Sequence, residues 1–181
     1  MKKFKLTSEF IVDISGVKLF RIKALIEFGN VKAGDLGGYI EKEENLSHMG
    51  NAWIYGDAQI SGNAQVFGDA QVFGNAWVSG NARVSGDTQV FGDAWVFGDA
   101  WIYGDARVSG DKDYAYAHGF GSCNRTTTFF RLKDGDVGVR CGCFYGTLAQ
   151  FRDKVCETHG ETKKAQEYLM LADLMEIRFK N

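Results

Sequence analysis

GNAWIY GDAQIS GNAQVF GDAQVF GNAWVS GNARVS GDTQVF GDAWVF GDAWIY GDARVS is the run over 50–109, written six residues to a unit. Ten consecutive units read Gly, Asn/Asp, Ala, variable, Val/Ile, variable, and Thr88 is the one departure in the small position. Self-similarity at a fixed period outranks any local signal in assigning a fold. Within a unit, Ala and Val/Ile alternate with variable residues, which is the two-residue period of a strand. Ala52 and Ile54 therefore point inward while Trp53 between them points out. Gly and Asn/Asp then turn a corner, because glycine accepts positive φ and Asn or Asp tolerates tight turns. One strand and one corner make one side of a prism, and three sides close a coil. Coils stack at the ordinary ~4.8 Å strand spacing, so the run makes roughly three and a half coils, ~16 Å tall. The fold class is mainly β: a left-handed parallel β-helix over 50–111. The six-residue period selects it over a flattened or right-handed solenoid.

The inward slots hold only small and branched aliphatic residues, so the expected core is narrow and filled. Function is expected on outer faces, corners, ends or between subunits. Residues one coil apart fall into columns: Tyr55, Phe73 and Phe91; Gln59, Trp77 and Trp95; Gln65, Arg83 and Trp101; Phe67, Ser85 and Tyr103. The four tryptophans all take outward slots. Outward rings in this number mark a contact surface. Tyr55, Phe73, Phe91, Trp77 and Trp95 are the expected homotrimer interface, and terminal segments are the other cover. A second use is a ligand platform, in which Trp101, Tyr103 and Trp53 meet a base while Arg83 or Arg107 meets a phosphate. At the corners Asn and Asp interchange, which favours turn-making over calcium binding.

A solenoid needs its ends covered. Residues 1–49 form the expected N-terminal β cap, where FIVDI, SG and VKLFRIKALI read as a hairpin turning at Ser15–Gly16. Residues 112–181 form a small α/β domain of a hairpin and two helices. TTTFFRL, KDGD and VGVRCGCF give the hairpin. Thr147 and Gln150 make a capping box for a helix over Leu148, Phe151 and Val155. A second helix begins near Thr162 and buries Tyr168, Leu169, Ala172 and Met175; the closing IRFK reads as a short strand. Arg125, Arg131 and Arg140, beside three threonines, put donors around this hairpin, expected as a solvated polar face, with an anion pocket between the hairpin and a neighbouring subunit as the alternative. Cys141, Cys143, Cys156 and His159 are weak zinc candidates. One-residue spacing lacks the usual knuckle turn, and Cys156 is expected on the buried stripe with Val155, so buried thiols are the expectation and no metal or cofactor is assigned.

LFRIKALIEFGNVKAGDLGGYIEKEENLS, then hexapeptides, then GSCNRTTTFF, GCFYGTLAQF and ETHG resemble a family of prophage-associated hexapeptide-repeat proteins. The resemblance covers nearly the whole chain and implies a phage or prophage accessory protein with a β-helix body. More loosely the repeat is similar to hexapeptide acyltransferases, which use a histidine base between subunits of a trimer. His48, His118 and His159 are the histidines here, and none lies within the coils.

Hydrophobic content of 45% with 24% charge marks a globular chain rather than a disordered one. The start MKKFKL lacks a signal-peptide core and no apolar run is long enough for a bilayer, which reads as cytoplasmic, in a bacterial host, with reduced cysteines. Net charge of −2 gives no footprint for duplex nucleic acid. The expected function is non-enzymatic: a homo-oligomer, a trimer by preference, holding a small anionic or nucleotide ligand, with counter-defence by sequestration as its extension. An acyltransferase and a structural assembly module are the alternatives.

Overall fold

The structure, a computed structural model, describes residues 2–121 and 124–180. The chain opens with an antiparallel hairpin, β1 (Phe4–Val12) and β2 (Lys18–Ala24). Asp13 holds its turn, with Oδ1 accepting from the Ser15 and Val17 amides. β3 (Leu36–Ile40) pairs antiparallel with β2. Two-residue strands then recur every six residues: β4 (Trp53–Ile54), β5 (Gln59–Ile60), β6 (Gln65–Val66), β7 (Gln71–Val72), β8 (Trp77–Val78), β9 (Arg83–Val84), β10 (Gln89–Val90), β11 (Trp95–Val96), β12 (Trp101–Ile102) and β13 (Arg107–Val108).

Three parallel ladders result, as the six-residue period requires. They are β4-β7-β10-β13, β6-β9-β12 and β5-β8-β11, the last extended through β3 and β2 to β1 as a six-stranded sheet. Three ladders make a triangular β-solenoid of about four turns. Ala52 through Val108 at the inward slots are fully buried, and Thr88 stays buried because its hydroxyl donates to the Ser85 carbonyl at 2.7 Å. Corner glycines are forced by stacking as well as by φ: at Gly86 (φ +76) a Cβ would come within 2.7 Å of the Gly104 carbonyl. The corner amides also stack. Asn51 donates to Asp69, Asn63 to Asn81, Asn75 to Asp93 and Asn81 to Asp99, each one coil on.

The first rung starts inside the segment expected to be a separate cap. Tyr39 pairs with Gln59 and Leu46 bridges Val66, both in parallel. The offset is two residues longer than in later coils because the corner after Leu46 carries two extra residues.

Rung amides donate toward the C-terminal end, as from Trp53 to the Ala70 carbonyl and from Gln71 to Thr88. The two ends therefore differ in polarity. Carbonyls are left over at the N-terminal end, and its caps are donors. Lys3 Nζ donates to the Gly50 and Ala52 carbonyls at 3.3 and 2.8 Å, and Asn45 Nδ2 to those of Gly62 and Ala64 at 3.1 and 2.9 Å. Amides are left over at the other end, and its caps are acceptors. The Trp95 amide donates to Asp111 Oδ1, that of Trp101 to Thr128 Oγ1 and that of Ser109 to Asp113 Oδ2.

The C-terminal part is an antiparallel sheet of β14 (Tyr114–Phe120), β15 (Arg125–Arg131), β16 (Val137–Cys141) and β17 (Phe144–Thr147), then α1 (Leu148–His159) and α2 (Lys163–Phe179). Strand alternation splits the Phe129–Phe130 pair. Phe130, with Leu132 and Tyr114, joins the solenoid core, whereas Phe129 joins Val139, Phe151, Tyr168 and Met175 under the helices. Thr147 and Gln150 close the expected capping box. Sequence reading missed β14. Residues 177–179 of IRFK end the helix rather than form a strand, because Phe179 continues the buried row of Tyr168, Ala172 and Met175. The thiols are not buried as expected: Cys143 and Cys156 are exposed, the latter despite its place beside Val155, and Cys141 is half-buried.

Candidate functional site

The register of the solenoid puts Gln65, Arg83 and Trp101 in one outward column on the three-stranded ladder. Trp101 is held at both ends. Its amide donates to Thr128 Oγ1 at 3.0 Å and its indole Nε1 to Ser85 Oγ at 3.3 Å. The indole bond repeats elsewhere in the coil, from Trp77 to Ser61 and from Trp95 to Ser79. Tyr103 meets the Trp101 ring edge-on at 6.4 Å and the Tyr145 ring at 5.0 Å. Burial pushes the Tyr145 phenol up, and the neighbouring Asp105 carboxylate adds to it.

Two arginines converge on this ring. Arg83, one rung away in its own column, sets its guanidinium carbon 5.5 Å from the Trp101 ring centre. Arg140 arrives from β16. It pairs across the strands with Thr128, on the face that looks at the solenoid, and lies 4.1 Å from the Trp101 centre and 5.3 Å from that of Tyr103. Its Nη1 donates to the Cys143 and Phe144 carbonyls, while its Nε is buried without an acceptor. Beside them runs a groove of about 460 Å3 lined by Asn63, Gln65, Asn81, Arg83, Asp99 and Trp101. It shares Gln65 with a groove of about 590 Å3 that reaches Glu43, Glu44 and His48.

The other expected site residues are dispersed. Trp53 is 1% exposed, sealed edge-on by Phe4 and Phe28, so it offers no face to a ligand. Arg107 is exposed in the Trp53 column, with Gln71 and Gln89 between them. Arg131 donates to the Gly135 and Phe179 carbonyls and lies over the Phe179 ring, a structural post. Arg125 lines a small cleft with Cys141, Cys143, Lys154 and His159. Within one chain these three arginines are not gathered: Arg125 and Arg131 face the helices, Arg140 the solenoid. Cys141, Cys143, Cys156 and His159 form no metal-holding group among the described residues, and Cys123 lies outside them. His159 stacks on Tyr168. His118 Nδ1 bonds Thr126 Oγ1 at 3.0 Å. His48 stacks on Phe4, and its Nδ1 accepts from the Lys3 amide while Nε2 lies 3.6 Å from Glu43.

Of the expected interface, Phe73 and Phe91 stack at 5.1 Å and 8°, and Trp77 and Trp95 at 4.9 Å and 1°. Tyr55 is half-buried against the core. Trp95 and its neighbour Phe97 remain 40% and 43% exposed. The approach of Arg140 to Trp101 was not read from sequence. Its signal was the strand period that puts Thr128, Phe130 and Leu132 on one face.

Among known families, the model described as YdcK beta solenoid repeat matches residues 58–74, 64–80, 70–86 and 76–92. These overlapping windows fall within the coil and, with the three ladders, support a repeat β-helix family. No curated protein matches the chain. Among the described residues no helix is long and apolar enough to cross a membrane.

Proposed function

We propose that the chain is a non-enzymatic binding protein holding a small anionic ligand, nucleotides included, where the solenoid meets the C-terminal sheet. The observation that carries this reading is the convergence of Arg83, Trp101, Tyr103 and Arg140 from two separately encoded parts of the chain. Neither guanidinium has a carboxylate within ion-pair distance among the described residues, so their charge is available to a ligand. Native mass spectrometry of the protein purified from phage-infected cells tests it. Retention of an anionic small molecule, lost in Arg83→Gln, is the expected result; a protein that retains nothing refutes it.

The same reading makes the chain a homotrimer assembled through its outward rings. Its support is the exposure of Trp95 and Phe97, since leaving such rings in water forgoes ~1.5–3 kcal/mol each. A role as a phage or prophage accessory that sequesters a host molecule rests on the resemblance carried by residues 19–47, the hexapeptide run, 121–130, 142–151 and 157–160.

A further inference from the structure

Trp101 differs from a base-stacking platform in one respect: its ring is already occupied. Arg140 lies 4.1 Å from its centre, Arg83 5.5 Å, and Tyr103 closes on its edge. A nucleobase reaches that ring only by displacing an arginine. Resting on the binding role proposed above, we infer that the site grips a diphosphoryl oxyanion bridging Arg83 and Arg140, and that Trp101 positions the two guanidinium groups instead of stacking on a base.

The charges argue for an anion. Both guanidinium carbons sit near one ring centre, so they lie within about 10 Å of each other and one anion between them meets both charges. Arginines that serve the fold are partnered by protein: Arg152 by Asp173 and Glu176, Arg21 by Glu9 and Tyr39, Arg178 by the Asp111 and Tyr114 carbonyls. Arg83 donates to none of the described residues. Arg140 spends Nη1 on two carbonyls, which leaves Nη2 free and Nε buried without an acceptor.

Geometry selects the class of anion. One carboxylate has two oxygens, and a single guanidinium fork fills both. Arg83 offers its whole fork and Arg140, on another element, only Nη2, so the anion must present oxygens in two directions, which a diphosphate supplies. Asp99 is the opposing charge in the groove; its Oδ1 accepts from Asn81 Nδ2 at 3.0 Å. It repels an anion, so the bound group is held on the side of the groove where Arg83 and Trp101 lie. The shared chemistry is the diphosphoryl group, whether free or carried on a nucleoside.

Isothermal titration of the full chain at low salt, with inorganic pyrophosphate, inorganic phosphate, adenosine diphosphate and adenosine, tests this. Pyrophosphate and adenosine diphosphate should bind within about threefold of each other, phosphate about tenfold more weakly, and adenosine not at all. Arg83→Gln, an exposed position that leaves folding unchanged, should lose about tenfold, and Asp99→Asn should tighten binding several-fold. Arg140→Gln should lose as much, with its melting temperature followed because Arg140 also holds two carbonyls. Adenosine binding as well as its diphosphate, phosphate matching pyrophosphate, or pyrophosphate binding indifferent to Arg83 and Asp99 would overturn the bridging site while leaving a binding role standing. Silence from all four probes, with nothing retained in native mass spectrometry, sinks both.

Discussion

Replacing Asn45 by Asp changes one side-chain nitrogen to oxygen and inverts the cap at the N-terminal end of the solenoid. Asn45 is fully buried, donates to the Gly62 and Ala64 carbonyls and accepts from the Lys42 amide at 2.9 Å. In Asn45→Ala all three partners lose their bond, at about 1 kcal/mol each and more where water cannot reach, so about 3 kcal/mol is expected. Asn45→Asp keeps the Lys42 bond yet sets a carboxylate oxygen against two carbonyls, which costs at least as much. At ~2–4 °C per kcal/mol for a chain of this size, both should melt roughly 6–12 °C early. The carboxylate variant should recover as pH falls and its carboxyl gains a hydrogen to donate. The converse change at the other end, Asp113→Asn, keeps an acceptor for the Ser109 amide and hydroxyl and should cost only about 1 kcal/mol. Thermal melts by circular dichroism, from acid to neutral pH, read all three. Equal losses for Asn45→Asp and Asp113→Asn would refute the argument that the two ends demand opposite capping chemistry.

Lys3 is 1% exposed, and burial, opposed by Asp69, lowers its pKa from 10.5 to about 8. Between those values the unfolded chain binds the extra proton, so stability should rise with pH across that window, by up to about 3 kcal/mol; Lys3→Met should remove the rise, and parallel curves would contradict it. A neutral amine still carries two hydrogens for the two carbonyls it caps. Val84→Asp places an unpartnered carboxylate among fully buried residues and should unfold the solenoid, whereas Gln89→Glu, half-buried on an outer face, should shift the melt little; similar melts would mean the in/out register is wrong. Trp95→Glu should turn the expected trimer into monomer in sedimentation, and a wild-type protein that is monomeric at micromolar concentration would remove that part of the proposal.

The coil was legible because its signal repeats ten times: a misreading of one unit is corrected by the next, and Gly, Ala and Val/Ile each answer to one physical demand. The capping box at Thr147 and Gln150 was legible because it is local. Non-local pairings were not. Nothing in the spacing of Lys3 or Asn45 announces that their nitrogens reach carbonyls tens of residues away, although a lysine and an asparagine flanking a solenoid start are the kinds of donor that end needs. Trp53 shares the outward slot with Trp77, Trp95 and Trp101, and the repeat alone does not tell that Phe4 and Phe28 fold over it. IRFK deceived for the opposite reason: its alternation suits a strand, and only the longer row from Tyr168 to Phe179 shows the helical period that wins.

A perfect repeat offers the same chemistry on every rung, so it makes columns rather than sites. A unique site needs a rung that something else reaches. Outward tryptophan occurs on all three ladders, but the C-terminal sheet approaches the solenoid over β12, and Thr128 fixes the approach by accepting the Trp101 amide. That one bond serves two ends at once. It closes an orphaned amide at the end of the coil and, with the Ala106–Leu132 bridge and the Lys133 amide on the Asp105 carbonyl, it holds the register of β15, hence of its partner β16, so that Arg140 falls on the Trp101 ring. Thr128→Val, with nearly the same volume and no hydroxyl, should therefore lower stability by about 1–2 kcal/mol and weaken pyrophosphate binding together. A variant that binds normally while melting early would separate capping from site formation and show that Arg140 finds Trp101 without that register.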